Sequence, residues 1–260
     1  MKIATWNVNS IRAREERLLK WLATQQPDVV CLQELKVVEE AFPFEALRKA
    51  GYHAAVYGQK TYNGVAILAR TEPTDVERGF GNGVDDPQAR LIAATVNGVR
   101  IVSAYVPNGA EVGSDKYAYK LEWLQRLKTH LKDRDRLSVP LALCGDFNIA
   151  PEPRDVADPE LWEGTVLFNP EMREQFRGLL ELGLVDTFRR HHAEGGFYSW
   201  WDYRQLGFQR NDGLRIDHIL AARSLADRCT EALIDREERK GAKPSDHAPV
   251  VAVFNWQGDT

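Results

Sequence analysis

The chain has 260 residues, of which 43% are apolar and 28% charged, and its net charge is −4 at neutral pH. A chain of this length and apolar content can bury a large core, so a folded globular protein is expected. The acidic balance argues against indiscriminate binding of nucleic acid, although a local basic face would still attract a phosphate backbone.

No linker rich in Pro, Gly or Ser, no low-complexity tract and no internal repeat divides the chain, so we expect residues 1–260 to form one domain. The amino terminus lacks the apolar segment of a signal peptide, and no run approaches the length of a membrane span. Cys31 and Cys144 lie in apolar runs, and no C-x-x-C spacing indicates a zinc site. These features predict a protein of the reducing cytoplasm with no membrane partner.

Apolar runs that adjoin polar residues recur along the chain. In chain order, these predicted strands are residues 3–6 before Asn7, 29–32 before Gln33 and Glu34, 101–104 before Tyr105, 141–144 before Asp146 and Asn148, 214–216 opening a strand that contains Asp217, and 250–254 after Asp246 and His247. Residues 15–24 and 117–131 repeat apolar side chains at helical spacing. Near-continuous apolar strands with helices between them predict an α/β fold in which helices cover the sheets.

Most of the polar residues at these strand ends have side-chain oxygens that could bind a metal ion. The set is Asn7, Glu34, Asp146, Asn148, Asp217 and Asp246. Strands of one compact domain bring their ends to a common place, and carboxylates crowded there repel one another unless a cation or a proton intervenes. Oxygen ligands without thiolates favour Mg²⁺ or Mn²⁺ over zinc. The set therefore predicts metal-assisted hydrolysis of a phosphodiester, because that chemistry needs a metal and a group that orients or deprotonates water.

The stretch K-P-S-D-H-A-P, residues 243–249, places Asp246 and His247 between two prolines. Because proline is excluded from central strands, residues 245–247 are predicted to form a stiff loop before the last strand. A solvated turn would also account for this composition. His247 is the one group near these strand ends that ordinarily titrates close to neutrality, which favours a role in acid–base chemistry.

Five segments stand in order along nearly the whole chain: W-N-V-N-S-I-R (6–12), C-L-Q-E-L-K (31–36), G-D-F-N-I-A-P (145–151), G-L-R-I-D (213–217) and P-S-D-H-A-P-V (244–250). They resemble the exodeoxyribonuclease III family of abasic-site endonucleases, within the endonuclease/exonuclease/phosphatase superfamily. Three more, A-Y-V-P-N-G (104–109), K-Y-A-Y-K-L-E-W (116–123) and W-W-D-Y-R (200–204), are similar to the bacterial branch of that family. The resemblance implies a four-layered α/β sandwich, with two face-to-face β-sheets flanked by helices.

The resemblance also implies a role for each residue of the predicted site. The metal set would comprise Asn7, Glu34, Asp146, Asn148, Asp246 and His247, with Glu34 as the principal ligand and Mg²⁺ or Mn²⁺ as the ion. The catalytic set would comprise Tyr105, Asp146, Asn148, Asp217 and His247. In it, His247 would pair with Asp217 and act as the base at the phosphate, and Asp146 would align the water or serve the leaving oxygen. Asn148 and Tyr105 would hydrogen-bond the phosphate, although Tyr105 on its own would be interpreted as a half-buried strand residue.

The implied partner is duplex DNA with abasic sites or blocked 3′ ends, bound by a monomer that associates with the bacterial nucleoid through its DNA. Trp200 and Leu214, with Ile216 nearby, would border a pocket for a flipped abasic sugar, since a nucleotide without a paired base is the easiest to extrude. The candidates for DNA contacts are Lys36, Arg90, Asn108, Lys116 and Arg204. Without the resemblance, Trp200 and Trp201 would be interpreted as core aromatics and the basic residues as solvated charges.

Several functions stay open at this point. The expected activity is incision 5′ to abasic sites, with 3′→5′ exonuclease and 3′-phosphatase activity of unranked strength. Inositol-phosphate phosphatases, sphingomyelinases and poly(A) nucleases of the same superfamily would share the metal and phosphate residues, but W-W-D-Y-R and L-Q-E-L-K favour the DNA-repair branch. A catalytically silent DNA-binding protein is disfavoured because no expected catalytic position is lost. Asn108 stands where some relatives have Gln, and His191 and His192 have no implied role.

Overall fold

The computed structural model describes residues 1–84 and 86–258. Its strands are β1 (Lys2–Asn7), β2 (Val29–Gln33), β3 (His53–Tyr57), β4 (Val65–Ala69), β5 (Thr74–Arg78), β6 (Leu91–Val96), β7 (Val99–Tyr105), β8 (Leu141–Asp146), β9 (Leu184–Asp186), β10 (Trp200–Trp201), β11 (Gly213–Leu214), β12 (Asp217–Ala222), β13 (Cys229–Ile234) and β14 (Val250–Phe254). Its α-helices are α1 (Ile11–Gln25), α2 (Phe44–Lys49), α3 (Asp115–Lys132), α4 (Pro159–Trp162), α5 (Pro170–Leu180), α6 (Thr187–His191), α7 (Gly207–Arg210) and α8 (Arg223–Ala226).

Two six-stranded sheets share one arrangement of strands. The first has the order β13-β14-β1-β2-β4-β3, and the second, taken from the opposite edge, has the order β9-β12-β8-β7-β6-β5. In the middle of each sheet lies a parallel pair, β1 with β2 and β7 with β8. An antiparallel strand adjoins the pair in each case, β14 beside β1 and β12 beside β8. Each sheet therefore presents the ends of two parallel strands at its centre.

This topology places the predicted polar residues at strand ends. Asn7 lies opposite Gln33 where β1 and β2 end, and Tyr105 lies opposite Asp146 where β7 and β8 end. Asp217 begins the antiparallel strand β12, so it pairs with Asp146 at the same edge of the second sheet. Asn7, Tyr105 and Asp146 were predicted to follow their strands, and instead they are the terminal residues of β1, β7 and β8.

Three apolar layers hold the fold together. The layer between the sheets includes Ile3 and Cys31 from the first sheet and Ile101, Cys144 and Ile219 from the second. A second layer packs α1 and α2 against the outer face of the first sheet, and a third packs α3 and α5 against the outer face of the second. These layers confirm the expected four-layered α/β sandwich.

Two predicted boundaries were wrong in detail. Helix α1 begins at Ile11 rather than residue 15, because the Ser10 hydroxyl caps it by accepting a hydrogen bond from the backbone N–H of Ala13. The strand predicted to open at Leu214 is interrupted before Asp217, because the Arg215 N–H donates to the carbonyl of Asp155 and the Ile216 N–H donates to Ser199 Oγ. Among the described residues, no helix is both long and apolar enough to cross a membrane.

Candidate active site

Two carboxylates meet where the central strands of the two sheets end. The side-chain amide of Asn7 donates from Nδ2 to Glu34 Oε1 at 2.9 Å and to Asp146 Oδ2 at 3.0 Å. The Tyr105 hydroxyl donates to the same Glu34 oxygen at 2.8 Å. Asn7 therefore bridges an acid that follows a strand of the first sheet and an acid that ends a strand of the second.

Backbone geometry at this edge is unusual. Glu34 and Asn148 have φ angles of 52° and 49°, in the left-handed region that residues other than glycine rarely adopt. Asn148 is held there because its N–H donates to Asp146 Oδ1 at 2.9 Å and its Nδ2 donates to the carbonyl of Val106 at 2.9 Å. Such conformations cost free energy and are concentrated at functional sites.

The imidazole of His247 lies between two buried acids. Its Nδ1 is 2.8 Å from Asp217 Oδ2, and its Nε2 is 3.6 Å from Asp146 Oδ2. Among the described residues, no hydrogen-bond donor reaches the second oxygen of Asp217, although that oxygen is buried. The structure thus brings together three residues that are separated by 71 and 30 positions in sequence, as their numbers show.

Hydrogen bonds to distant segments position the loop that contains His247. The Ser245 hydroxyl donates to the carbonyl of Asn7 at 2.7 Å, and the indole N–H of Trp6 donates to the carbonyl of His247 at 3.1 Å. The N–H of Trp201 donates to the carbonyl of Asp246, and the N–H of Ala248 donates to the carbonyl of Ser199. Tertiary hydrogen bonds therefore hold this loop in addition to its two prolines.

The charges of this cluster shift the pKa values of its members. Burial opposes the imidazolium of His247, but the carboxylates of Asp217, Asp146 and Asp246 outweigh it and raise the His247 pKa to about 10. Burial raises the pKa of Asp146 to about 7, with Asp217 adding to the effect and His247 opposing it. Burial and the neighbouring Glu34 charge raise the pKa of the Tyr105 hydroxyl well above its ordinary value. At neutral pH this arrangement contains a charged imidazole beside an acid that can exchange a proton.

The donor set at the centre of the site fits a divalent cation. Ligand atoms of Glu34, Asp146 and His247 all lie within 4.8 Å of one another. Carboxylates are ligands that Mg²⁺ and Mn²⁺ prefer, and a cation would favour the ionised form of Asp146, which burial disfavours. Asn7 presents Nδ2 to both carboxylates, while its Oδ1 accepts from the N–H of Asn9.

Asp246 lies outside that three-residue group, because its carboxylate is engaged elsewhere. One oxygen accepts from Asn9 Nδ2 at 3.1 Å, and the other accepts from the indole N–H of Trp200 at 3.0 Å. Asn9 in turn accepts from Lys36 Nζ at 2.7 Å, and Lys36 is 3.1 Å from Glu34 Oε2. Asn9, which the sequence analysis did not single out, therefore links Asp246 to Lys36 and, through it, to Glu34.

The remaining predicted DNA contacts lie in two separate cavities. Arg90, Asn108 and Lys116 line a cavity of about 470 Å³, and the guanidinium of Arg90 lies 4.8 Å from the centre of the Tyr105 ring. Arg204 lies apart from them in a cavity of about 360 Å³, where it is exposed and bound to Asp202. The structure therefore groups three of these contacts in the cavity beside Tyr105 and places Arg204 in a separate cavity.

Of the three residues predicted to border an apolar pocket, Trp200, Leu214 and Ile216, the structure exposes only Trp200. Leu214 and Ile216 are 0% and 1% exposed, because both pack into the layer between the second sheet and its helices. Trp200 pairs with Leu214 across the short β10–β11 ladder and remains half-buried, with the ring of Trp162 edge-on to it at 5.9 Å. The partly exposed apolar surface at this position belongs to Trp200 and Trp162, and Leu214 and Ile216 support it from below. Trp201 is fully buried, as its default interpretation predicted.

Two buried charged groups were missed by sequence reasoning. Lys120 is fully buried and donates to three backbone carbonyls, those of Asn108, Asn148 and Val166, and burial lowers its pKa to about 7. A second group, which we call the outer cluster, consists of Asp155, Asp186, Arg215 and His218 on the outer face of the second sheet. Lys120 lies in the segment 116–123 and Arg215 in the segment 213–217, both of which carry the family resemblance. A charged residue type does not by itself predict that the side chain is buried.

Comparison with known proteins agrees with this geometry. Residues 4–247 match the model of the endonuclease/exonuclease/phosphatase family. The chain is 38% identical to exodeoxyribonuclease III of Haemophilus influenzae, with 98% of this chain and 100% of that protein covered. It therefore belongs to the exodeoxyribonuclease III family within that larger group.

Solved structures give the same result. The chain superimposes with a TM-score of 0.96 on a 3′-5′ exonuclease from Neisseria meningitidis, at 47% identity over 98% of this chain and 100% of that one. A 3′ phosphatase form from Neisseria bound to a product DNA hairpin gives a TM-score of 0.95 at 46% identity, with the same coverage of both chains. An AP endonuclease from Archaeoglobus fulgidus gives 0.95 at 42%, covering 98% of this chain and 99% of that one.

Proposed function

We propose that the protein is a divalent-metal-dependent DNA-repair nuclease. It hydrolyses phosphodiester bonds 5′ to abasic sites in duplex DNA and also has 3′→5′ exonuclease and 3′-phosphatase activity. The proposal rests on one observation: His247 lies between Asp217 and Asp146, with Glu34 close enough to share a cation. The similarity to an exodeoxyribonuclease, a 3′ phosphatase and an AP endonuclease supports DNA as the substrate.

Glu34 and Asp146 would hold the metal, which is Mg²⁺ or Mn²⁺, with the charged ring of His247 beside them, and Asn7, Asn148 and Asp246 would complete its surroundings. The bound ion would neutralise charge on the phosphoryl oxygens. Asp246 would act at a distance from the ion, since its carboxylate is engaged by Trp200 and Asn9.

The pKa values suggest how the protein's own groups divide the work. His247, with a pKa of about 10, is protonated at neutral pH and would donate from Nε2 to a phosphate oxygen while Asp217 holds Nδ1. Asp146, with a pKa of about 7, would accept the proton of the attacking water. Asn148 and the Tyr105 hydroxyl would hydrogen-bond the phosphate. This division assigns the base to Asp146 rather than to His247.

Arg90, Asn108 and Lys116 would bind the DNA backbone in the cavity beside Tyr105. Lys36, close to Glu34, and Arg204, in a separate cavity, would make further backbone contacts. Trp200, supported by Leu214 and Ile216, would form the wall against which an abasic sugar packs. We also propose that the chain acts as one domain and as a monomer in the bacterial cytoplasm, bound to the nucleoid through DNA. The pairing of β1 with β14, near the two ends of the chain, supports a single domain.

The deciding experiment uses purified protein and matched duplexes with an abasic site, a 3′-phosphate or an intact 3′ end, with Mg²⁺ or with excess chelator. We expect activity only with the divalent ion and near-inactivity of Glu34→Gln, because the variant weakens both metal binding and neutralisation of the transition state. Full activity in chelator, or wild-type rates of Glu34→Gln at saturating Mg²⁺, would disprove the mechanism.

The same duplexes test the wall assigned to Trp200. We expect Trp200→Ala to slow incision at an abasic site more than removal of a 3′-phosphate, because a terminal phosphate needs less enclosure than a flipped internal sugar. Equal losses on both substrates, or a general fall in Tm, would instead make Trp200 a packing residue.

A further inference from the structure

Lys120 lies behind the candidate site, near the start of α3, and its ammonium group is fully buried. Its three N–H donors are matched by three backbone carbonyls: Asn108 at 3.1 Å, Asn148 at 2.7 Å and Val166 at 2.7 Å. An ammonium group has three donors and no acceptor, so this set uses its full hydrogen-bonding capacity.

The three carbonyls belong to three separate segments at the catalytic edge. Asn108 follows β7, Asn148 follows β8, and Val166 lies between α4 and α5. The side chains of Asn108 and Asn148 also bond to each other, Nδ2 to Oδ1, at 3.2 Å. Since the N–H of Asn148 donates to Asp146 Oδ1, a displacement of the Asn148 backbone would also change the setting of Asp146.

Lys120 is bound by neutral carbonyls alone, because no carboxylate of the described residues forms an ion pair with it. Burying an ammonium without an ion-pair partner costs free energy, and an apolar side chain would fill the same space without that cost. Gly109 provides the room: a Cβ there would lie 3.1 Å from Lys120 Cδ, and its φ of +95° disfavours other residues. The burial of Lys120 therefore costs free energy, and in return it fixes the positions of the three segments relative to one another.

We propose that Lys120 is a positioning residue, which holds the Asn148 and Asn108 segments in register with Asp146 so that their amides meet the scissile phosphate. This inference rests on the proposed function, because it assigns Asn148 and Asn108 to the substrate phosphate. Lys120 itself does not contact the substrate. Its removal would let the Asn148 backbone relax, since that residue is held in a left-handed conformation partly by its own carbonyl bond to Lys120.

The test compares Lys120→Met with Leu127→Ala on the full chain. Leu127 lies on the same helix, is fully buried and forms no hydrogen bond to the three segments, so its substitution loosens the shared apolar core without removing any of those bonds. Two readouts are taken well below the Tm of each variant: kcat and KM on the matched duplexes with Mg²⁺, and hydrogen exchange in chelator of the amides at residues 106, 108–110 and 147–150. The exchange readout does not depend on activity.

For Lys120→Met we expect kcat to fall about 100-fold with KM within about threefold of wild type, because a misplacement near 1 Å costs about that much in rate. Hydrogen exchange should rise in both segments. Leu127→Ala should keep wild-type kcat and wild-type exchange in those segments. Lys120→Arg, which keeps the charge and several donors, should recover part of the lost rate.

Three results would overturn the proposal: wild-type kcat in Lys120→Met, an equal loss in Leu127→Ala, or a change confined to KM. Should Lys120→Met not fold, Lys120→Arg is the test, because a planar guanidinium cannot direct its donors at three divergent carbonyls. Wild-type kcat in that variant would then reject the proposal. If the wild-type protein is inactive on every duplex, the proposed function is rejected instead. The hydrogen-exchange experiment would still test whether Lys120 fixes the two segments.

Discussion

Asp217 and His218 are neighbours on β12, and each belongs to a buried group that includes two aspartates and one histidine. Successive strand residues point to opposite faces of a sheet. Asp217 therefore joins Asp146 and His247 at the catalytic edge, and we call these three the inner cluster. His218 joins the outer cluster, where its ring packs against Phe147 and Phe176.

The two histidines have opposite pKa shifts although both are fully buried. The pKa of His247 is raised to about 10, since its neighbours are carboxylates that outweigh the effect of burial. Burial lowers the pKa of His218 to about 4, and the guanidinium of Arg215, 3.1 Å from His218 Nδ1, lowers it further. The same residue type is thus charged in one cluster and neutral in the other at pH 7.

Arg215 accounts for the difference. Its guanidinium donates to Asp155 and to both oxygens of Asp186, so the outer acids are neutralised within the protein. Burial opposes ionisation of Asp186, but Arg215 reverses that effect and lowers its pKa. In the inner cluster no arginine is paired with Asp146 or Asp217 among the described residues, and one oxygen of Asp217 has no donor. The outer cluster is therefore satisfied without a ligand, while the inner one retains capacity for a cation and a phosphate.

The largest expected effect comes from breaking the inner pair. We expect Asp217→Asn and His247→Asn each to lower kcat by on the order of 10³- to 10⁴-fold, as expected when an acid that orients a catalytic histidine becomes an amide. The double variant should be little worse than the poorer single variant, because groups that act as a unit show non-additive losses. Single-turnover incision of an abasic duplex by all four proteins, each checked for folding, measures this. Losses that multiply in the double variant would show that the two residues act independently.

Breaking the outer cluster should cost stability instead of rate. We expect Arg215→Met to lower the free energy of unfolding by about 3–5 kcal/mol, because it leaves the buried Asp186 without its cation and Asp155 with Arg189 alone. Denaturant unfolding monitored by circular dichroism measures this loss, and kcat at a temperature where the variant is folded should change less than about threefold. A large fall in kcat with an unchanged unfolding free energy would contradict the contrast between the clusters.

The smallest expected effect is a pH dependence of the stability that His218 contributes. His218 accepts from Arg215 at Nδ1 and faces the carbonyl of Ile149 at 2.9 Å with Nε2, an arrangement that only the neutral ring satisfies. Its folded pKa of about 4 lies below the ordinary value near 6.5, so its stabilisation is complete above pH 6.5 and is lost as the pH falls towards 4.

The stability difference between the wild type and His218→Asn should therefore be constant from pH 8 to about 6.5 and should shrink between pH 6.5 and 4. Urea unfolding of both proteins across this range measures it, with the metal-free form used throughout. A difference that grows on acidification would mean that His218 is charged in the folded protein.

Much of the candidate site was predictable, because its residues lie at strand ends and strand ends converge in any compact α/β fold. The run at 250–254 matches β14, and Asp146 and Asp217 meet as their positions suggested. The engagement of Asp246 by Trp200 was not predictable, since a carboxylate in a loop gives no sign of which partner will reach it. Leu214 was assigned to a pocket wall and is buried, because a two-residue ladder with Trp200 turns it into the core.

The sequence by itself determined which residue types stand at the ends of the apolar strands, and with them the family and the need for a cation. Only the tertiary structure decided the charge state of each group. Asp217 and His218 are adjacent in sequence, yet one faces His247 and the other faces Arg215. The electrostatic interaction between two charges depends on their separation and on the polarity of the medium between them. Both are set by packing between segments that are far apart along the chain, and so is the burial of Lys120 among three carbonyls.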